Sequence, residues 1–248
     1  EAAFQLGQLE ELGGNKLEAE KFYLQVTDGK YKIDARVRLA RLQAELGKIS
    51  SARDVLTELR VLEPHHIVDY YLTEAQILHA HASQEEVFAF YKTALEANPD
   101  DLELLYSRGV YAADQGLVDI AERDLRLIIS REPAHADALN ALGYTLANRT
   151  DRYTEALDLI TKALDLKPES AAILDSMGWV NYRLGNLEEA AKYLQRALSQ
   201  QNDDEIAAHL GEVLWMMGKK VQARSIWAKA LEDFPDSDKL ADVLGRFK

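Results

Sequence analysis

Residues 173–198 read Ile173-Leu174-Asp175-Ser176-Met177-Gly178-Trp179-Val180-Asn181-Tyr182-Arg183-Leu184-Gly185-Asn186-Leu187-Glu188-Glu189-Ala190-Ala191-Lys192-Tyr193-Leu194-Gln195-Arg196-Ala197-Leu198. Two helical stretches meet at Gly185. The first carries a small residue, Gly178, and the second carries Ala190 with Leu194 four positions on, so Ala190 and Leu194 share one helical face. The pattern recurs outward in both directions. Ala19, Ala52, Val87, Ala121, Ala156 and Ala223 stand in register with Ala190, at steps of 33 to 35 residues. Four positions after them stand Tyr23, Leu56, Tyr91, Leu125, Ile160 and Trp227. Self-similarity at such a period means helical hairpins that bury their apolar faces on one another.

The helix-breaking residues keep the same beat. All five prolines, Pro64, Pro99, Pro133, Pro168 and Pro235, fall 12 residues after the Ala-column position. Pro ends the second helix and starts the link to the next unit. Gly7, Gly109, Gly143, Gly178 and Gly211 form one column, completed by Ala40 and Ala75, on the first helix of each unit, where only a small residue lets a second helix approach. Gly14, Gly47, Gly116, Gly185 and Gly218 form another, between the helices, where positive φ is expected. Acids after proline, as in Asn98-Pro99-Asp100-Asp101 and Pro235-Asp236-Ser237-Asp238, suit the start of the next helix.

A helix-turn-helix unit of about 34 residues with small, large, small and Pro columns resembles the tetratricopeptide repeat (TPR). The resemblance implies an all-α, right-handed solenoid of seven repeats over residues 1–237, starting near 1, 33, 68, 102, 136, 171 and 204, with 238–248 as a C-terminal capping helix. The fit is loosest at Arg36, at Ala82 in place of the turn Gly, at the extra residue near 148–152, and at Asn202 in place of Pro.

Composition removes several functions. The 248 residues carry 29 Lys and Arg against 42 Asp and Glu, a net charge of −13, which argues against nucleic acid and anionic lipid as main partners. Cys is absent, so disulfides, thiolate metal sites and Cys nucleophiles are excluded. The longest uncharged stretch, Ala138 to Asn148, is 11 residues, against roughly 20 for a membrane-spanning helix. No secretory signal is visible, and the chain opens on Glu1 inside an apolar helical pattern, which reads as a piece of a longer protein. The motifs HExxH, GxSxG and the P-loop are missing, and His79 and His81 lie two apart on a helix, a poor metal pair. Neither catalysis nor a metal or cofactor is expected.

In the TPR family the second, fifth, ninth, twelfth and thirteenth residues of each first helix face the concave groove. Carried over, the groove includes Phe4, Val37, Arg41, Leu72, Gln76, His79, Tyr106, Asn140, Tyr144, Asn148, Asp175, Trp179, Tyr182, Arg183, Glu212, Trp215 and Met216. Tyr106, Tyr144, Trp179, Tyr182 and Trp215 make an aromatic stripe along the last four repeats, and Tyr, Trp and Arg are frequent binding anchors. The competing reading packs these rings on the neighbouring helix. Trp227 belongs to the large-residue column and is expected in the core. Glu11, Glu45, Asp114, Asp175 and Glu212 face only Arg41 and Arg183, so a partner segment with apolar residues and some Lys or Arg is expected. The Lys–Asn clamp of TPR adaptors for chaperone tails is absent.

The stretch from Asp175 to Gly185, followed by an Ala-rich helix, also resembles the C-terminal repeats of proteobacterial outer-membrane TPR lipoproteins, and among these the LbcA-like protease adaptors. That resemblance implies a lipid-anchored periplasmic adaptor that binds a carboxyl-terminal processing serine protease (CtpA-like) and brings it peptidoglycan hydrolases. Membrane contact would then come only through a lipid anchor outside these residues. The alternatives are a scaffold for envelope or pilus assembly and a cytoplasmic regulatory TPR domain.

Overall fold

The computed structural model describes residues 1–247. It contains fifteen α-helices and one short 3-10 helix, and no strand among the described residues. Two compact units divide at Arg108 and Gly109, where the repeat pattern suggests one uninterrupted array. The first unit holds α1 (Ala2–Leu12), α2 (Lys16–Leu24), α3 (Lys32–Glu45), α4 (Ile49–Leu62), the 3-10 turn Pro64–His66, α5 (Ile67–His81) and α6 (Gln84–Ala97). Helix α7 (Leu102–Asp114) runs across the dividing point. The second unit continues with α8 (Val118–Arg131), α9 (Ala136–Arg149), α10 (Tyr153–Leu166), α11 (Ala171–Arg183), α12 (Leu187–Gln200), α13 (Asp204–Met216), α14 (Lys220–Asp233) and α15 (Asp238–Arg246).

The repeat columns explain the packing. Every member of the Ala column and of the large-residue column is fully buried, Trp227 included. Gly211 shows why the first helix needs a small residue: a Cβ there would lie 1.9 Å from Trp227 Nε1. The hairpin turn needs glycine for a different reason. Gly185 has φ +84°, and its N–H and that of Asn186 donate to the carbonyls of Tyr182 and Asn181, closing the end of α11. Nothing lies within 4 Å of a Cβ built on Gly185, so the cost of a side chain is backbone strain alone. Gly185→Ala is expected to destabilise the second unit by about 1–2 kcal/mol. Urea titration checks this, and an unchanged midpoint would refute it.

Proline stands two residues beyond the last residue of α4, α6, α8, α10 and α14. Asp101 caps α7, its carboxylate accepting from Glu103 and Leu104 N–H, as the acids after proline suggest. At α15 the cap is instead Ser237, which accepts from Leu240 N–H. Ala82, which replaces a turn glycine, is extended, and the next residue, Ser83, begins α6 with a reciprocal Ser83–Glu86 capping box. In the second unit α9, α11 and α13 pack in succession, and α15 packs on α13 and α14.

Candidate functional site

The face built by α9, α11 and α13 carries most of the residues singled out from the sequence. On α11, Asp175, Trp179 and Tyr182 are spaced four and three apart, so they form one stripe. The stripe meets α13 through a residue the sequence reading passed over. His209 Nδ1 lies 2.9 and 3.1 Å from the two carboxylate oxygens of Asp175. The Trp179 ring stacks on the imidazole, with centroids 4.1 Å apart, and tilts against Tyr182 at 5.1 Å. Burial favours neutral His209, but the charge of Asp175, its hydrogen bond, and the charges of Glu205 and Glu212 outweigh burial and raise the pKa above 6.5.

Two tyrosines extend the network. Tyr144 Oη donates to Glu205 at 2.6 Å, and Lys239 donates to the other oxygen of that carboxylate, also at 2.6 Å. Burial, followed by the charge of Glu205, pushes the Tyr144 phenol up. The Lys239 and Tyr144 bonds hold Glu205 below its usual range, against burial. Tyr182 Oη donates to Glu212 at 2.9 Å, and the Arg246 guanidinium grips both Glu212 oxygens at 2.9 and 3.3 Å. Burial and the Glu212 charge raise the Tyr182 pKa to about 12.

These contacts correct part of the expected groove. Asp175, Trp179 and Glu212 are buried, with 6, 9 and 4% of their surfaces exposed, so they are wall and not open surface. Phe4 is also core, stacked on Tyr31 at 4.7 Å. The acids expected to read a basic partner are mostly spent internally. Asp175 pairs with His209, Glu212 with Arg246, Glu45 with Lys16 and Glu11 with Arg38, which leaves Asp114 exposed. The packing interpretation of the rings holds for Trp179 in full and for the others in part. Tyr144 and Tyr182 are half-buried. Trp215, also half-buried, lies in a separate cluster, 5.9 Å from Trp227 and 5.8 Å from Phe247, with Lys220 and Arg224 over its ring. Arg183 donates to Tyr153 Oη at 2.6 Å and lies over that ring. Tyr106 is half-buried on α7, within the first unit.

His209, Glu205, Lys239 and Arg246 were legible only through spacing. Asp175–His209, Glu205–Lys239 and Glu212–Arg246 are each 34 residues apart, one repeat length. Partners of opposite sign one period apart stand side by side on successive first helices, and α15 takes that place beside α13.

A cleft of about 230 Å³ opens on this face, lined by Asn140, Tyr144, Asp175, Gln201 and Ile206. Asn140 Oδ1, at this cleft, is buried without a hydrogen-bond partner; Trp179 Nε1 is also buried without one, on α11 outside the cleft lining. One acceptor beside the cleft is thus left unsatisfied within the chain. No group of three or more His, Asp or Glu residues able to hold a metal occurs among the described residues. No helix among them is long and apolar enough to cross a membrane.

Tetratricopeptide-repeat profiles match residues 34–66, 134–203 and 181–247, together more than half of the chain. A TPR repeat-containing protein of Pseudomonas aeruginosa is 43% identical over 211 residues, which cover 85% of this chain and 36% of that protein. The human protein O-mannosyl-transferase TMTC1 is 27% identical over 217 residues, 86% of this chain and 24% of that one. The chain therefore spans little more than a third of the length of the first relative and about a quarter of the second. The crystal structure of a tetratricopeptide repeat protein from Parabacteroides merdae superposes with a TM-score of 0.66 at 19% identity, covering 87% of this chain and 85% of that one, a likeness of fold. Repeat columns, hairpin packing and profile matches agree, and the chain belongs to the tetratricopeptide-repeat family.

Proposed function

We propose that this chain is a non-catalytic adaptor that holds an extended polypeptide segment on the α9–α11–α13 face of the second unit. TPR proteins generally bind protein partners and act as scaffolds. The observation that carries the proposal is the cleft at Asn140 and Tyr144, whose wall offers an unmet acceptor. A peptide N–H supplies the missing donor, and the half-buried Tyr rings supply contact area. Asn140→Ala is expected to weaken partner binding about tenfold, the worth of one hydrogen bond to a buried group, with little change in stability. Calorimetric titration against the recovered partner checks it, and undiminished affinity would remove this cleft from the interface.

The finer form of the proposal is a periplasmic adaptor, anchored to the outer membrane by a lipid outside these residues. It would bind and activate a CtpA-like serine protease and deliver cell-wall hydrolases to it. Its support is the Asp175–Gly185 stretch and its resemblance to LbcA-like lipoproteins. Holding enzyme and substrate on one scaffold raises their effective concentration without new chemistry. Affinity capture from a bacterial envelope extract tests it. Recovery of a serine protease with its hydrolase substrates supports the adaptor, whereas recovery of pilus or envelope assembly machinery overturns it in favour of a structural scaffold.

A further inference from the structure

The cleft beside Asn140 is short of donors. Three carboxylates line it, Asp175, Asp203 and Glu205, and among the described residues no Lys, Arg or His does. Three donors of the lining are committed within the chain. Tyr144 Oη donates to Glu205 at 2.6 Å, Ser176 Oγ to the Ala172 carbonyl at 2.9 Å, and Gln201 Nε2 to Asp203 at 3.3 Å. Acceptor capacity is left over, because an ionised carboxylate offers about four lone-pair sites. Asp203 Oδ1 takes the N–H groups of Glu205 and Ile206 at the start of α13, and Oδ2 takes only the Gln201 amide.

Charge singles out Asp203. Asp175 faces His209, and Glu205 is paired with Lys239, which also reaches Asp204 at 3.5 Å. Asp203 is half-buried and makes no ion pair, in a chain whose net charge is −13. A cation arriving here is drawn in by that field and meets a carboxylate with room for it. Size and walls narrow the choice. About 230 Å³ lies below the roughly 300–1,000 Å³ of small-molecule pockets, so the cleft suits one side chain. Ala141, Ala172 and Ile206 give it apolar wall, which fits the methylene stem of Lys or Arg. An acidic side chain would face three carboxylates, and an apolar one would leave Asp203 with water alone.

We propose, resting on the adaptor reading of this same face, that the cleft takes a Lys or Arg side chain of the bound segment. Asn140 Oδ1, fully buried and without a partner, receives a peptide N–H of that segment. The charged head is received by Asp203 and by the spare acceptor sites of Asp175 and Glu205. Backbone and side chain are thus read by different groups, and the side chain supplies the specificity that a peptide N–H lacks.

The probes are three acetylated, amidated alanine pentapeptides with arginine, citrulline or glutamate at the centre. Citrulline keeps the shape of arginine and removes its charge. Binding to the full chain is followed by amide chemical shifts on α9, α11 and α13. The arginine peptide is expected to bind at least about tenfold more tightly than the citrulline peptide, with the glutamate peptide weaker still. Asp203→Asn removes the charge and keeps the helix cap, since Asn caps as well as Asp. It should cut the arginine preference to about twofold and leave the citrulline peptide unchanged. Ala172→Arg, which enters the cleft from an exposed position, should abolish binding of the arginine peptide. Circular dichroism melts establish that the variants are folded. Equal affinity for arginine and citrulline overturns the side-chain inference and leaves the adaptor reading standing on Asn140. An arginine preference that survives Asn140→Ala supports the basic side chain and removes the peptide N–H contact. Arginine binding indifferent to both Asp203→Asn and Ala172→Arg lies elsewhere on the chain and overturns the proposal, as does the absence of binding by all three peptides.

Discussion

Trp227→Ala is expected to cost about 3–5 kcal/mol of stability in the second unit, the range for truncating a buried aromatic. Trp227 is fully buried, and Gly211 lies so close that the ring fills the space a side chain there would need. The indole stacks at 6.0 Å on Phe247 and 5.9 Å on Trp215, and its N–H donates to the Ala208 carbonyl at 3.3 Å. Its cluster includes Leu240 and Val243 of α15, so removing it loosens the seat of the last helix. Helices α13 and α15 cannot close the gap without moving the ion pairs that join them, Lys239 to Glu205 and Arg246 to Glu212. Urea unfolding monitored by circular dichroism measures the loss, and hydrogen exchange should show the α15 amides losing protection first. A loss below about 1 kcal/mol would mean that the stack repacks around the hole.

Asp175→Ala is expected to cost about 3 kcal/mol near neutral pH, between the loss of one partner of a buried hydrogen bond and the breaking of a buried ion pair. The pair also carries a pH signature. In the folded chain the His209 pKa is raised above 6.5, because Asp175, with Glu205 and Glu212, outweighs burial. A raised folded pKa means that the stabilisation is fully present below the unfolded value of 6.5 and is lost as pH rises through the folded value. Asp175→Asn keeps the shape and removes the charge that sustains the imidazolium. Between about pH 8 and pH 6, acidification should therefore stabilise the parent chain more than the Asn variant, where burial again favours the neutral ring. Parallel stability–pH curves for the two proteins would show that His209 does not carry the charge.

The columns at Ala190, Leu194 and Gly178, repeated seven times, make the all-helical stack, the hairpin turns and the core legible in the sequence. These features are local. A helical face follows from residue spacing along one helix, and a turn at Gly185 follows from the one residue type that accepts its φ. The place of Trp227 was legible for the same reason, since the large-residue column admits no exposed position.

The chemistry of the face was less legible. A groove position shows which way a side chain starts out, not how deep it ends. Trp179 ends beneath His209, and Asp175 and Glu212 end beside cations from the next helix along. Counting groove acids against groove bases overstated the free negative charge, because Arg246 enters from α15, which stands in for a further first helix, and His209, Lys16 and Arg38 pair with three more of the acids.

By itself, then, the sequence determined a family, a periodic core and the helices that form the candidate face. Tertiary structure decided which carboxylates are spent on internal partners and that Asn140 keeps an unmet acceptor. The physical reason is one of range. Periodicity is fixed by contacts within a hairpin, whereas charge pairing and leftover hydrogen-bond capacity depend on side chains a full repeat apart, which only the stacked helices bring together.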